Sequence, residues 1–511
     1  MIDADIVAAV DLGSNSFRLE IGRVVGAQIY TMDALREPVQ LAAGLTKDKY
    51  LNSEAQARAF AALDRFGERL RGFAPHHVRA VATNTFRVAR NAKAVLRSAE
   101  ARLGFPIEVI GGQEEARLIY FGVAHLLEPG PARRLVVDIG GGSTEIIVGT
   151  GFQPELLESI YIGCVGYSLR FFAGETFSKS AFRQAELAAR HELEVLSKDF
   201  RSRGWAEAIS SSGTARALAN IIELNGFAAH GITREGLSLL KDAMIRAQSG
   251  AALKLAGLKD DRLSVLGGGL AIMSAIFDEF GLERMVVSNG ALRTGVLYDL
   301  LGRGGHEDMR EATVREFMFR YQVDEAQALR VSNTAVALWQ GMSSAARPSP
   351  APPMAELPEA AERILRRGAL LHEIGRSMSH NGYHKHSAYI LTNADMPGFS
   401  RREQTALATI VLGHNGKLPK IRDSVEHEDD WRLVACLRLA ALIHRSRKDA
   451  GADAIRLRAD RKPYVIEVAR SWLEANPLTD FDLTQEIEEW RRIGRELSID
   501  AVEIGKESVA P

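Results

Sequence analysis

Two stretches of this chain carry the residue types that grip phosphates, at matching offsets. The first, residues 10–22, contains Asp11, Gly13, Ser14, Asn15 and Ser16; the second, residues 137–149, contains Asp138, Gly140, Gly141, Gly142, Ser143, Thr144 and Glu145. Aligned without a gap they share Val, Asp, Gly, Ser and a closing Gly. Each reads as an apolar strand ending in Asp, a short polar turn, and a second apolar strand. Glycine permits unusual turn dihedrals and lets a ligand approach bare amides. Successive amides form an anion-binding concavity, to which Ser14, Ser16, Ser143 and Thr144 add hydroxyls and Asn15 an amide. Asp11 and Asp138 stand where a carboxylate could hold a metal ion on that phosphate. A glycine hairpin explains either stretch alone, but not Asp and Ser recurring at the same offsets.

Other groups suit the same chemistry. Glu114 and Glu115 fall in Gln113-Glu-Glu-Ala-Arg117 at the start of an expected helix, where a carboxylate can take a proton from water. Acidic residues there also complement the helix N-terminus, which suffices for Glu114. Asp138 and Glu145 flank the second turn as a pair able to hold Mg²⁺ with substrate oxygens and water; a solvent-facing Glu145 is the plainer alternative. Arg87, in Thr83-Asn-Thr-Phe-Arg87, marks a strand-to-helix junction, as Ser212-Gly213-Thr214 does further on, and such junctions bind anions. Gly267-Gly-Gly269 reads as a glycine turn before a helix over 267–280, either approaching a nucleotide or simply flexible. His372-Glu373 with His380, His384, His386 and His414 suggests a His-Asp phosphohydrolase, yet the chain has His-Glu and no upstream histidine in 331–340. Incomplete histidine sets are more often packing or capping residues than metal sites.

The elements that must position these groups repeat. Strands are expected at 6–12, 17–24 and 28–32, then a helix over 53–73 opened by a Ser53-Glu-Ala-Gln56 capping box. A strand over 77–83, a helix through 103, a strand over 107–110 and a helix over 113–127 follow. The second third gives strands at 135–139, 145–149 and 154–162, helices at 178–200 and 212–224 about a strand at 206–210, and closes with a strand at 284–288 and a helix at 290–301. Two βββαβα-type halves imply a duplicated α/β fold with a cleft between lobes. From about 306 the pattern is helical to about 444, interrupted by the proline-rich Ala346-Arg-Pro-Ser-Pro-Ala-Pro-Pro353, with a strand over 463–469 and a helix over 482–497 last. The expected divisions are 1–125, 126–303 and 304–511.

The bulk numbers exclude more than they assign. The 511 residues are 46% hydrophobic and 25% charged, ordinary for a globular protein. Charge is balanced, 64 Lys+Arg against 65 Asp+Glu, so a polyanionic partner needs a local basic groove. No apolar run reaches the length of a membrane span, and the acidic start argues against a secretory signal. Cys164 and Cys436 can form neither a disulfide framework nor a thiolate cluster, which suits a reducing cytoplasm.

Taken in order, Asp11–Ser16, Gly112-Gln-Glu-Glu-Ala-Arg-Leu118, Asp138–Glu145, Ser212–Thr214 and Gly290-Ala-Leu-Arg-Thr-Gly295 resemble the exopolyphosphatase/guanosine pentaphosphate phosphohydrolase family. Leu371-His-Glu-Ile-Gly and the segment His384–Leu391 resemble the helical, His-Asp-like domain of its longer members. The resemblance implies a two-lobed, duplicated actin/sugar-kinase-like (ribonuclease H-like) α/β half followed by a mainly α-helical half. It also implies Mg²⁺ on Asp138 and Glu145, Glu115 activating water, Arg87 on the transferred phosphoryl, and a homodimer. Inorganic polyphosphate is the expected substrate and guanosine pentaphosphate the alternative, with no DNA partner. An acceptor-dependent kinase and an inactive regulatory binder are the rivals of another class. The acidic residue usual in the family before Gly290 is Asn289 here, which leaves that position's role open.

Overall fold

The protein is described from a computed structural model covering residues 6–25, 28–127, 131–302, 308–345, 357–425, 427–449, 455–458 and 464–502. Its contacts divide the chain into two compact units, Met1–Asp308 and Met309–Pro511. The first unit is α/β and holds two lobes of the actin/sugar-kinase-like kind; the second is mainly helical. The proline-rich stretch 346–353 falls outside the described residues.

The first lobe runs β1 (Ile6–Leu12), β2 (Phe17–Val25), β3 (Gln28–Glu37), α1 (Ser53–Arg69), β4 (Val78–Ala82), α2 (Asn84–Val88), α3 (Ala92–Leu103), β5 (Ile107–Val109) and α4 (Gly112–His125). The second runs β6 (Arg133–Ile139), β7 (Thr144–Thr150), β8 (Gln153–Ile160), α5 (Cys164–Phe171), α6 (Lys179–Arg203), β9 (Glu207–Ser210), α7 (Gly213–Leu224), β10 (Ile232–Thr233), α8 (Arg234–Ala247), α9 (Asp260–Phe280), β11 (Arg284–Val287) and α10 (Leu292–Gly302). The sheet orders are β3-β2-β1-β4-β5 and β8-β7-β6-β9-β11, the latter with β10 added at its edge, so the duplication extends to topology. In each lobe the central strand pairs antiparallel with the strand after the polar turn and parallel with the next. That places the two Asp residues at the same sheet end. β1 and β6 are buried on both faces, which is why they read as unbroken apolar runs and not as alternation.

Several local expectations change. Asn52, not Ser53, caps α1, its side chain accepting from Ala55 N at 2.9 Å, and Ser53 becomes the first helical residue. Gly267, Gly268 and Gly269 do not form a turn before a helix; they lie buried inside α9, which starts seven residues earlier. Their purpose is close packing: a Cβ on Gly268 would sit 2.5 Å from Cys164 O and 2.6 Å from Ser168 N of α5. α5, α8 and β10 were not expected at all. α9 is also the one described helix long and apolar enough to cross a membrane, but 78% of its apolar window is buried in the second lobe.

A buried ion cluster ties α4 to β4 and α10. Arg117 binds Glu114 through Nε and Nη2 at 2.7 and 2.9 Å and Asp299 at 2.5 Å, and Arg79 reaches the other Asp299 oxygen at 2.8 Å. Glu114 thus stands in the first turn of α4, as expected, but buried and held by Arg117.

The second unit has helices Met309–Arg320, Glu325–Ala345, Leu357–Leu371, Tyr383–Asn393, Arg401–Gly413 and Glu428–Ile443 around one apolar core. A sheet of β12 (Ile455–Arg458), β13 (Tyr464–Ala469) and β14 (Leu497–Val502) follows, with helix Pro477–Arg491 before β14. The expected helix over 482–497 thus ends early, and the chain past it turns into a strand.

Candidate active site

The two polar turns meet. A Cβ on Gly141 would lie 3.1 Å from Ser14 Cβ and 3.3 Å from Asn15 N, so the loops touch through bare backbone. Asn84 Nδ2 donates to Gly142 O at 3.3 Å, and Thr85 Oγ1 donates to Ser14 Oγ at 2.8 Å. Gly140 N donates to Ser143 O at 2.9 Å, and Gly140 O accepts from Cys164 N at 3.0 Å, seating the second loop on the start of α5. Beside them lies a cavity of about 120 Å³. Its wall brings together Asp11, Ser14, Asn15, Ser16, Glu115, Asp138, Gly141, Gly142, Ser143, Ser212, Gly213 and Thr214.

Some of these donors are already committed. Ser212 Oγ caps α7 by accepting from Ala215 N at 2.9 Å, and Thr214 Oγ1 donates to Ile139 O at 3.0 Å. The backbone amides at the α7 start and in the two turns are then the anion donors.

Three expected residues stand behind the wall. Thr144 is fully buried and its hydroxyl donates to Ile162 O at 2.7 Å, so it holds β7 and offers nothing to a ligand. Arg87 donates to Glu115 Oε2 at 2.7 Å and to Ile110 O at 3.1 Å, so it addresses the cavity through Glu115 and does not line it. Glu145 is 1% exposed and accepts from Ser159 Oγ at 2.8 Å. It faces Asp138 in register across the β6–β7 ladder, which puts both carboxylates on one face of the sheet.

Four carboxylates therefore crowd one end of the cavity, Glu115 and Glu145 buried and Asp11 and Asp138 half-buried. Burial pushes Glu115 up from its ordinary range; Arg87 pulls it back, and Asp11 and Asp138 push it further up. Burial raises Glu145 well above the usual carboxylate range, reinforced by Glu115 and Asp138. Asp11 and Asp138 are raised by burial too, against nearby arginines, and Ser211 Oγ holds Asp138 at 2.6 Å.

Facing them are four arginines that the motifs did not single out: Arg18, Arg216, Arg262 and Arg293 line the same cavity. Burial and then mutual repulsion with Arg293 push Arg18 down to about 10. Burial lowers Arg216 and Arg262 too, reinforced by Arg293 at Arg216 and by Arg36 at Arg262. Guanidiniums destabilised in this way call for an anion. A signal for Arg18 was present, since it pairs with Asp11 in register just as Glu145 pairs with Asp138. The repeat thus carries a cation in one lobe and an anion in the other at the same position. Arg262 had none, because its helix was expected to start after it.

In the helical unit, His372 and His414 are buried, with ring centroids 5.1 Å apart. Each places Nδ1 on a backbone carbonyl of the helix that ends just before it, Ala369 O at 2.6 Å and Val411 O at 2.5 Å. Burial lowers both, and it takes His384 down to about 4. Among the described residues no three His, Cys, Asp or Glu side chains converge on a metal position.

Residues 21–304 match the Ppx/GppA phosphatase family, and residues 309–487 match Ppx/GppA phosphatase, domain III. The chain belongs to the Ppx/GppA phosphatase family. It is of the long form, with domain III following the two lobes. A solved exopolyphosphatase from Cytophaga hutchinsonii ATCC 33406 shares the fold at 24% identity and TM-score 0.53, covering 58% of this chain and 98% of its own. The Aquifex aeolicus Ppx/GppA family member is similar at 26% identity and TM-score 0.51, covering 59% of this chain and 99% of its own. The cavity described above is thus the candidate active site of a phosphatase.

Proposed function

We propose that this phosphatase is an exopolyphosphatase, releasing terminal orthophosphate from inorganic polyphosphate. The observation that carries this reading is one small cavity in which two amide-lined turns and four partly desolvated arginines face a buried, water-reachable Glu115. Arginines and turns neutralise the oxygens of a terminal phosphoryl group and hold it in line. Glu115 takes the proton of the attacking water as its oxygen bonds to phosphorus. The bridging P–O bond breaks, and that oxygen leaves with the shortened chain. Arg87 keeps Glu115 aimed and ionised through the 2.7 Å bond.

Mg²⁺ fits the acidic end. Asp138 in the wall and Glu145 behind it would hold the ion: Asp138 adds to the repulsion that raises Glu145, and a hard cation relieves it. Bound there, it would add charge neutralisation on the phosphate oxygens. Phosphate and water would complete the shell, in keeping with a cation that uses few protein ligands.

The test is orthophosphate release from long-chain polyphosphate with Mg²⁺, wild type against Glu115→Gln. Release by the wild type, reduced about 10²–10⁴-fold in the variant with polyphosphate binding kept, supports the reading. Equal rates overturn the role of Glu115. Release only from guanosine pentaphosphate, or transfer only to an added acceptor such as ADP, overturns the substrate or the reaction class. No turnover under any divalent cation points to a binding protein.

A further inference from the structure

A cavity of about 120 Å³ takes only the end of a long phosphate chain, so the rest of that chain must leave it. The acidic end repels a polyanion, and the way out runs past the arginines. These differ in their surroundings. Behind burial and Arg293, Asp11 acts on Arg18 and Asp138 on Arg216. Behind burial, the neighbours that act on Arg262 are Arg36, Cys164 and Asp261. Arg262 therefore stands on the side away from the acidic end. A Cβ on Gly213 would lie 2.8 Å from its Nη2, so its guanidinium covers the start of α7. The ion pairs nearby belong to Arg36 and Arg293; among the described residues none engages Arg18, Arg216 or Arg262.

Beside Arg262 an ion pair joins the two lobes. Arg36 Nη2, on β3 of the first lobe, donates at 2.8 Å to Asp261 Oδ2, in the first turn of α9 of the second. Neither residue lines the cavity, but Arg36 acts on three that do, Arg18, Arg216 and Arg262. Burial works against the charge on Asp261, yet Arg36, Arg262 and Lys259 hold its carboxyl below the usual range. Asp261 is thus an anion that the fold itself supplies to these cations. The two side chains are 37% and 34% exposed, so the pair contributes little and exchanges readily. Arg36 holds Asp261 through one nitrogen, whereas a run of phosphates offers acceptors to the whole guanidinium fork.

We propose that Arg36 is a subsite for the substrate chain beyond its terminal phosphoryl group, occupied by Asp261 until a chain phosphate displaces that carboxylate. Chain length is then read outside the cavity, because a chain too short to reach Arg36 leaves the pair closed. The inference rests on the exopolyphosphatase reading and adds to it a residue that selects long chains.

The test is orthophosphate release with Mg²⁺ from long-chain polyphosphate and from tripolyphosphate, for the full chain, Arg36→Gln and Asp261→Asn. In Arg36→Gln the long-to-short ratio of kcat/KM should fall about three- to fivefold, through KM, as expected of one exposed ionic contact. In Asp261→Asn, which frees Arg36, the ratio should hold or rise. Tripolyphosphate turnover in the same variant is the internal measure of a folded site. A pair that merely ties the lobes together gives equal losses in both variants on both substrates, and that result overturns the proposal. So does an unchanged ratio in Arg36→Gln while the wild type cleaves both substrates, which leaves the exopolyphosphatase reading standing. No release from either substrate by the wild type overturns that reading and this inference with it.

Discussion

Glu115 shows how one side chain is set by competing neighbours. Burial and two aspartates favour its protonated form, and Arg87 opposes them. A base must be ionised, so activity should fall as pH drops through a value above the ordinary glutamate 4.5. Removing the opposing cation with Arg87→Met should move that acid limb to higher pH, because only the charge-favouring partner is lost. A kcat/KM profile against pH reads the shift directly. An unmoved limb with a lower plateau would mean that Arg87 acts on the substrate and not through Glu115. The rate at the plateau also separates the two, since loss of a preorganised phosphate contact costs about 10²–10³-fold.

At the level of elements, the second loop depends on how closely α5 approaches α9. Loop atoms Gly140 O and Gly141 O accept from Cys164 N and Val165 N at 3.0 Å each, so the start of α5 is the floor of the phosphate turn. That floor is pressed against Gly268, where a Cβ has no room. Gly268→Ala should destabilise the two-lobed unit by about 1–3 kcal/mol, an overpacking cost, and lower turnover with it. Urea denaturation measures the first and polyphosphate cleavage the second. Gly281→Ala makes a useful contrast: its φ of 66° makes it strained, but nothing lies within 4 Å, so stability should drop without loss of turnover per folded molecule.

For the molecule as a whole, the two units should respond differently to acid. In the helical unit His372, His384 and His414 are all depressed below 6.5, by burial first. A group lowered by folding binds more protons when unfolded, so its stabilisation is present above pH 6.5 and is lost as pH falls toward the folded value, about 4 for His384. The two-lobed unit carries the opposite sign. Asp11, Glu115, Asp138 and Glu145 are raised by folding, so they favour the fold below the usual carboxylate range and lose that contribution as pH rises through their raised values. Going from pH 7 to 5, the helical unit should lose stability while the two-lobed unit holds or gains. Thermal unfolding followed by unit-specific proteolysis checks the sign, and His384→Gln should flatten the helical unit's slope.

Much of this was legible in residues 10–22 and 137–149. Period and turn chemistry are local, so the strands β1, β2, β6 and β7, the glycine turns and the duplicated order could be read from the chain itself, as could Glu115 at a helix start. Gly267–Gly269 could not: three glycines look like a turn unless one knows that α5 lies across them. Nor could the arginines, because Arg18, Arg216, Arg262 and Arg293 come from four separate elements and become one cluster only when the lobes close on a common cavity. Thr144 sits in a motif that reads as ligand-facing, yet the sheet turns its hydroxyl inward, where Ile162 O satisfies it. Sequence alone determined which groups are available and at what spacing, since those are properties of neighbouring residues. Only the tertiary structure decided which of them share a cavity and which are spent on the fold, because burial and long-range pairing depend on residues far apart in the chain.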